Sequence, residues 1–387
     1  MPTVIARSVR GLEWIAAGEI SGWLPEAAGI AMSSRQVTFG LPALAPSLLD
    51  LRTVDDLFLD VGQVSGVGPA KDAPPLAASR IAALGWAGAL DTLGDLRALP
   101  GKPLFDVVVS LEGRRTYSRF VMEQAVGTAL APLLSGCYLA RTSEGRQAGE
   151  PELTVRVFVR GTDARVALRL ASQPLHRRWY KQDTGAGSLH PPVAAALARL
   201  ADPARAATVA DPFCGDGTAA IETALAYPGC RVLAGDIDPV RLRNCARNAA
   251  RAGGRLGRLA LHQFDAGRLP WPDRSIDAVI TNPPWNVAVD ARGLLGASLD
   301  PFWHHLHHLL SPAGRLCLIV DAQLGAADRL RRMGYQFALA TQIRLAGRVS
   351  QLVLCAPPGQ RCPRIPAGLA RWRRRALADG LVTDAGF

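Results

Sequence analysis

Lysine is nearly missing from this chain. Only Lys71, Lys102 and Lys181 occur among 387 residues, yet the formal net charge is +11 and the isoelectric point is about 9.9. Arginine therefore carries nearly all the positive charge, and its planar, permanently charged fork suits bidentate phosphate recognition. A coding bias towards Ala, Arg, Gly and Leu would give the same composition without such a partner. Long apolar runs are also missing. No window approaches the roughly twenty apolar residues that a transmembrane helix needs, so no membrane partner is expected. The opening stretch MPTVIARSVRGLEWIAAGEI has scattered charges and no hydrophobic signal core, so export is not expected. Seven cysteines, at 137, 214, 230, 245, 317, 355 and 362, include no CxxC pair. That pattern points to reduced thiols in the cytoplasm rather than a disulfide framework or a zinc site. No internal repeat is present.

What remains is a well-packed chain, 49% apolar, long enough for two or three domains. In its C-terminal half, strand-like runs alternate with helical ones. ATVAD (207–211), RVLAGD (231–236), GRLALHQFD, SIDAVITN and GRLCLIVDA (314–322) are separated by TAAIETALA (218–226), PVRLRNCARNAARAG and helices expected near 297–310 and 324–333. This alternation predicts a parallel, doubly wound α/β sheet. YQFALATQIRL and VSQLVLCA are joined by AGR, too short for a crossover helix, and should form an antiparallel hairpin at the sheet edge. The first half differs. FDVVVSLEG (105–113), a helical SRFVMEQAVGTALAPLL, ELTVRVFVRG (152–161) and ARVALRLAS (164–172) make a small α+β unit, with a tight turn at the Thr-Asp step. Residues 62–75 are rich in Gly, Pro and Ser and suit a loop or linker.

Chemistry concentrates at the strand ends. In ADPFCGDGTAAIETAL, Asp211 closes a strand, Gly215 and Gly217 turn the chain, and a helix follows. Glycines there let the backbone turn sharply and approach a ligand, beside the free N–H groups of a helix start. Asp236 ends the next strand, where a carboxylate can accept both hydroxyls of a ribose. Asp238 before Pro239 suits a helix cap. Asp265 follows the third strand, placed to accept an adenine amino group. This set serves NAD and S-adenosylmethionine alike, so a nicotinamide oxidoreductase stays open.

TNPPWN then ends the fourth strand. Two prolines give up two backbone donors and fix two φ angles. That stiffness serves methyl transfer to an exocyclic base amine, whose lone pair is delocalised into the ring. The Asn282 amide oxygen and the Pro283 carbonyl can accept the two N–H bonds and localise the pair, held in register by the prolines. Trp285 offers a stacking face for an extruded base, contributing about 1–3 kcal/mol. An ordinary Pro-Pro turn beside a core tryptophan is the alternative.

These residues resemble the class I S-adenosylmethionine-dependent methyltransferases with an (N/D)PP(Y/F/W) motif. SRFVMEQAVGTAL, the paired strands after it and PLHRRWYKQ (174–182) are similar to a THUMP domain running into its methyltransferase, and RGLEWIAAGEI to the opening helix of that group. The resemblance implies a Rossmann-like seven-stranded sheet with an antiparallel last strand, preceded by an α+β ferredoxin-like/THUMP RNA-binding region. Its domains would be 1–104 (ferredoxin-like region and linker), 105–173 (THUMP-like) and 174–387 (methyltransferase). The implied activity is methylation of guanosine N2 in tRNA or ribosomal RNA. Asp211, Phe213, Gly215, Gly217 and Thr218 would line the methionine side of S-adenosylmethionine, Asp236 would hold the ribose and Asp265 the adenine. Asn282, Pro283 and Trp285 would hold the base, and Arg177 and Arg178 would contact RNA phosphate or the cofactor edge. Trp285 and Asn286 depart from the usual Tyr or Phe followed by Gly, which bears on which base fits.

Other readings stay open. NPPW also suits N6-adenine in DNA or RNA and glutamine amides in proteins, and an idle RNA-binding protein could keep a decayed site. In DPFWHHLHHLL, His304, His305, His307 and His308 have metal-compatible spacing but no acidic or cysteine partner nearby, and methyl transfer needs no metal. The basic RCPRIPAGLARWRRRALADG suits either a solvated helix or an RNA-contacting tail.

Overall fold

A computed structural model describes residues 1–141, 149–205, 207–256, 258–285, 289–345 and 347–383. Asn286 lies outside these described residues. Two sheets organise the chain.

The first sheet gathers β1 (Thr3–Arg7), β2 (Ala28–Ser33), β3 (Gln36–Gly40), β4 (Asp56–Val64), β5 (Leu104–Glu112), β6 (Cys137–Tyr138), β7 (Leu153–Arg160) and β8 (Asp163–Arg169). Their order is β2-β3-β1-β4-β8-β7-β5-β6. Its helices are α1 (Glu13–Trp23), α2 (Ala73–Ala82), α3 (Trp86–Leu96) and α4 (Arg119–Leu130). Because β4 pairs with β8, residues on either side of position 104 share one continuous sheet. The β7–β8 turn is tight, with Arg160 opposite Asp163, and residues 65–72 form the loop between β4 and α2.

The second sheet holds β9 (Thr208–Asp211), β10 (Arg231–Asp236), β11 (Arg258–Gln263), β12 (Ile276–Thr281), β13 (Leu310–Asp321), β14 (Gln336–Leu345) and β15 (Arg348–Ala356). Around it run α5 (Pro191–Ala201), α6 (Thr218–Ala226), α7 (Pro239–Ala252), α8 (Asp300–Leu309), α9 (Ala326–Arg332) and α10 (Ala367–Ala378). The order is β11-β10-β9-β12-β13-β15-β14. The first five are parallel, whereas β15 is antiparallel to both β13 and β14. This is the expected doubly wound sheet closed by a hairpin, with β14 at the edge. The strand order reverses between β9 and β12, where open α/β sheets form their ligand crevice. Among the described residues, no helix is long and apolar enough to cross a membrane.

Helix α8 is amphipathic: Phe302, Trp303, Leu306 and Leu309 are buried, while His304, His305, His307 and His308 are exposed. No metal-binding cluster of His, Cys, Asp or Glu occurs among the described residues. The basic helix α10 docks on α1 through Leu369, Trp372 and Ala376, all buried, and Arg371 donates to the Ser21 hydroxyl.

Besides the docking of α10 on α1, the contacts that tie the halves together include a close backbone approach and a buried ion-pair hub. At Gly11 (φ +94°) a Cβ would sit 2.8 Å from the Gln342 carbonyl of β14, so only glycine permits the approach. Deeper in, Glu222 of α6 is fully buried. It accepts from Arg52 Nε at 2.7 Å, Arg178 Nε at 2.9 Å and the Tyr180 hydroxyl at 2.8 Å. Burial alone would raise its carboxyl pKa, but Arg178 and Arg52 outweigh that and hold it below the ordinary value. Removing the carboxylate strands two guanidiniums in the interior. Glu222→Ala should therefore lower unfolding free energy in urea by about 3–5 kcal/mol. A drop under about 1 kcal/mol would show that this ion-pair hub does not join the halves.

Candidate active site

At the C-terminal ends of β9, β10 and β12 lies a cleft of about 1500 Å³, walled on its other side by the connector 176–191 and by the N-terminal sheet's loops. Asp211, Phe213, Gly215, Thr218, Asp236, Asp265, Asn282, Pro283, Trp285, Arg177 and Arg178 all line it. Residues far apart in sequence thus meet because most of them follow strands that end on the same edge.

The acidic floor is held by short-range bonds. Asp211, 2% exposed, accepts from the Thr281 hydroxyl at 2.8 Å. Burial pushes its pKa up from 3.8 to about 7, with the neighbouring Asp236 adding to the rise. Each Asp236 oxygen accepts one backbone N–H, from Gly215 and from Asp238, both at 2.9 Å. Burial raises its pKa too. Asp265 accepts from the N–H of Gly267 at 2.8 Å and of Leu294 at 2.7 Å. Each of these oxygens keeps a second lone pair for a ligand. Asp238 caps α7, accepting from Val240 N–H at 2.8 Å.

Asn282 differs from the carboxylates. Its Oδ1 is buried and has no hydrogen-bond partner among the described residues, and the same holds for Trp285 Nε1. A buried amide oxygen without a donor costs about 1–3 kcal/mol and calls for an explanation. Trp285 is half-buried and packs against the main core, so one part of the ring supports the fold while the rest faces the cleft.

Two expected site residues turn out otherwise. Gly217 (φ +88°) does not line the cleft; a Cβ there would lie 2.3 Å from Cys245 Sγ of α7. Close helix packing, rather than a ligand, demands that glycine. Gly215 (φ +52°) does face the cleft, with open space where a Cβ would project. Arg178 is 8% exposed and spends its guanidinium on Glu222 Oε1 and on the carbonyls of Leu175 and Arg52. It cannot grip phosphate without breaking the hub. Arg177 is exposed, bonded to Gln173 at 3.2 Å.

Further cleft residues lie outside the expected site set. Lys181 donates to the Leu189 carbonyl, and burial lowers its ammonium pKa to about 8. Asp216 is buried and accepts from Arg241 at 2.8 Å, Asn244 at 2.9 Å and Gly185 N–H at 2.8 Å. His190 Nε2 lies 2.7 Å from Asp55 Oδ1 at the cleft wall. From the N-terminal unit come Arg10 and Arg35. Glu13 positions both loops, accepting from Gly11 and Arg35 N–H groups at 2.8 Å. The only sequence signal for these two arginines is the GLE stretch, and it does not reveal its partner 22 residues away.

Residues 178–351 match the family model described as RMKL-like, methyltransferase domain. The chain is 36% identical over 223 residues to the tRNA (guanine(6)-N2)-methyltransferase of Thermus thermophilus, covering 57% of this chain and 63% of that relative's own length. The crystal structure of TrmN from Thermus thermophilus superposes with a TM-score of 0.73 at 27% identity, over 92% of this chain and 100% of that one. SMU.472, a putative methyltransferase crystallised with SAH, shares the fold at a TM-score of 0.65 and 16% identity, over 94% of this chain and 99% of its own.

Asp211 gives a pH test. Its folded pKa is raised, so its contribution to stability is complete below about pH 4 and is lost as pH rises through about 7. Asp211→Asn keeps the bond from Thr281 and removes the titration. In urea melts of ligand-free protein, the variant should match wild type near pH 4 and exceed it by roughly 2–4 kcal/mol at pH 8. Parallel pH profiles would show that Asp211 does not titrate as its burial requires.

Proposed function

We propose that this chain, whose residues 178–351 match the RMKL-like methyltransferase-domain model, methylates the exocyclic N2 amine of a guanosine in structured RNA, with tRNA as substrate and S-adenosylmethionine as methyl donor. The observation that carries the proposal is the buried, partnerless Oδ1 of Asn282 in the cleft. It is an acceptor awaiting an N–H donor, beside a floor suited to a nucleoside-bearing cation.

The residues present fit that cofactor. Gly215 leaves room for close approach, Asp236 keeps free lone pairs for ribose hydroxyls, and Asp265 keeps them for an adenine amine. Phe213 and Thr218 border the methionine end, and Asp211 adds negative charge beneath it. When bound, S-adenosylmethionine supplies an electrophilic methyl on a sulfonium. Asn282 Oδ1 and the Pro283 carbonyl accept the two N–H bonds of the target amine and localise its lone pair. Trp285 stacks on the base and offers its unpaired indole N–H. The rigid Pro283-Pro284 step keeps these groups from reorganising during the reaction. No general base of high strength is required, because the amine becomes acidic only as it gains the methyl, and no metal is needed.

RNA as substrate is supported by the +11 net charge, by the arginines at the cleft mouth and by the named activity of the Thermus thermophilus relative. We assign residues 105–173 to a THUMP-like unit and 1–104 to a ferredoxin-like one, which together present the RNA. Unpaired thiols at all seven cysteines fit work in the cytoplasm.

Labelled-methyl transfer into total RNA from a deletion strain, followed by nucleoside mass spectrometry, should yield N2-methylguanosine. N6-methyladenosine would overturn the base assignment, and label in protein alone would overturn RNA as substrate. Asn282→Ala should cut kcat by about 100-fold or more while cofactor affinity changes less than about threefold. Equal reductions in both would make Asn282 a residue of the cofactor pocket instead.

A further inference from the structure

We propose that the open face of the N-terminal sheet, centred on Phe158 with Arg7 and Arg156 against its ring, grips a backbone phosphate of the RNA strand that leads into the cleft. This rests on the RNA-methyltransferase reading and adds the surface on which the substrate is held.

The face is defined by strand alternation. In β7, Val155, Val157 and Val159 are buried, while Arg156 and Phe158 are half-buried and Arg160 is exposed. Cross-strand register places Arg7 and Ile5 of β1, Phe58 of β4, and Arg165, Ala167 and Arg169 of β8 on that same side. Ile5, Phe58 and Ala167 form a small apolar patch apart from the main core, with Phe158 packed on it and Phe58 edge-on to Phe158 at 5.9 Å. Arginines surround this patch.

Most of them are already paired. Arg169 meets Asp56 at 2.8 Å, Arg165 meets Asp60 at 3.7 Å and Arg160 meets Glu112 at 2.8 Å. Arg7 and Arg156 are not. Their guanidinium carbons sit 4.9 and 5.2 Å from the Phe158 ring centre. Their hydrogen-bond partners are neutral, Gln36 Oε1 at 3.4 Å and Ser110 Oγ at 2.7 Å. Neither makes an ion pair among the described residues. Asp56, the cross-strand partner of Arg7, gives its carboxylate to Arg169 and to the Leu57 N–H. Burial, and after it the charge of Arg35 in one case and Arg7 in the other, pushes each pKa down to about 10. Two partly desolvated cations on one ring are an unfavourable arrangement that one bidentate-bound anion relieves.

A phosphodiester fits better than a free carboxylate because this charge is not isolated. Arg7 feels Arg35, and Arg35 and Arg10 line the cleft itself. The cationic path therefore runs from Phe158 to the place where the base must enter. Phe158 also gives the strand an aromatic edge to rest on.

The test uses the full chain, an RNA that it methylates, and Arg7→Gln, Arg156→Gln and the double variant. We expect the double variant to raise the RNA KM about tenfold or more. The slope of log affinity against log salt should shrink by about 0.7–0.9 for each phosphate that is no longer neutralised. kcat at saturating RNA should stay within about twofold. KM and salt slope both unchanged would overturn the proposal. Should the variants fail to bind cofactor, wild-type protein decides: RNA must protect Arg7 and Arg156 from phenylglyoxal, and equal modification with and without RNA overturns the assignment. Protection by an acidic peptide but not by RNA would assign the face to a protein partner and likewise overturn it. If wild type methylates no RNA at all, the function reading falls; if it methylates RNA with Arg7 and Arg156 unprotected, only this surface does.

Discussion

One fully buried carboxylate organises the molecule. Glu222 sits in the helix that starts beneath the cofactor side of the cleft, and in a low-dielectric interior it is tolerable only with donors aimed at it. Those donors come from two distant stretches: Arg52 from the N-terminal half, and Arg178 and Tyr180 from the connector. Satisfying one charge therefore helps to fix where the N-terminal sheet stands relative to the second sheet. The connector that results is held again farther on. Asn248 accepts the N–H groups of Gln182 and Asp183 at 3.2 and 3.1 Å, and Asp183 pairs with Arg247 and Arg251. Gly185 N–H then donates to Asp216 and the Ala186 carbonyl accepts from Arg241, and residues 186–189 give the cleft its second wall.

The contrast between satisfied and unsatisfied groups gives the site its meaning. Asp211, Asp236 and Asp265 each have local donors that hold them in place without a ligand. Asn282 has a position but no donor to its Oδ1 among the described residues, and it shares that state with the neighbouring Trp285 Nε1 in the same cleft. On the proposed function, the carboxylates serve as acceptors for a nucleoside and the Asn282 amide oxygen as the acceptor for a second partner that brings N–H bonds.

Much of this was legible along the chain because the relevant signals are local. Alternation of apolar runs with helical periods marks the doubly wound sheet, and AGR is too short for anything but a hairpin. Strand-end aspartates and NPPW fall on one edge by the topology of parallel sheets alone. What stayed hidden depends on partners distant in sequence. Arg178 reads as a free cation beside Arg177 until Glu222 arrives from 44 residues away. Glu222 itself is an unremarked position in TAAIETALA. Gly217 looks like the ligand-facing glycine of a dinucleotide turn, yet Cys245 of the next helix is what it must clear. The arginines of the N-terminal loops carry no motif, and only tertiary packing brings them to the cleft.

The distribution of charge argues for an order inside the cleft that composition cannot convey. A net charge of +11 overstates what is available, since Arg52, Arg169, Arg178, Arg199 and Arg241 are consumed by carboxylates. Arg10, Arg35 and Arg177 line the mouth and Arg7 and Arg156 lie on the open sheet face, while Asp211, Asp236 and Asp265 make the floor acidic. A sulfonium cation is therefore favoured deep in the site and a polyanion at its rim, and each would be repelled from the other's place. The raised pKa of Asp211 belongs to this arrangement: two carboxylates near one another in a buried floor repel, and a cation set beside them would draw the proton off. On the proposed function, donor binding should thus restore negative charge beside the sulfonium without changing the positive rim proposed to hold RNA.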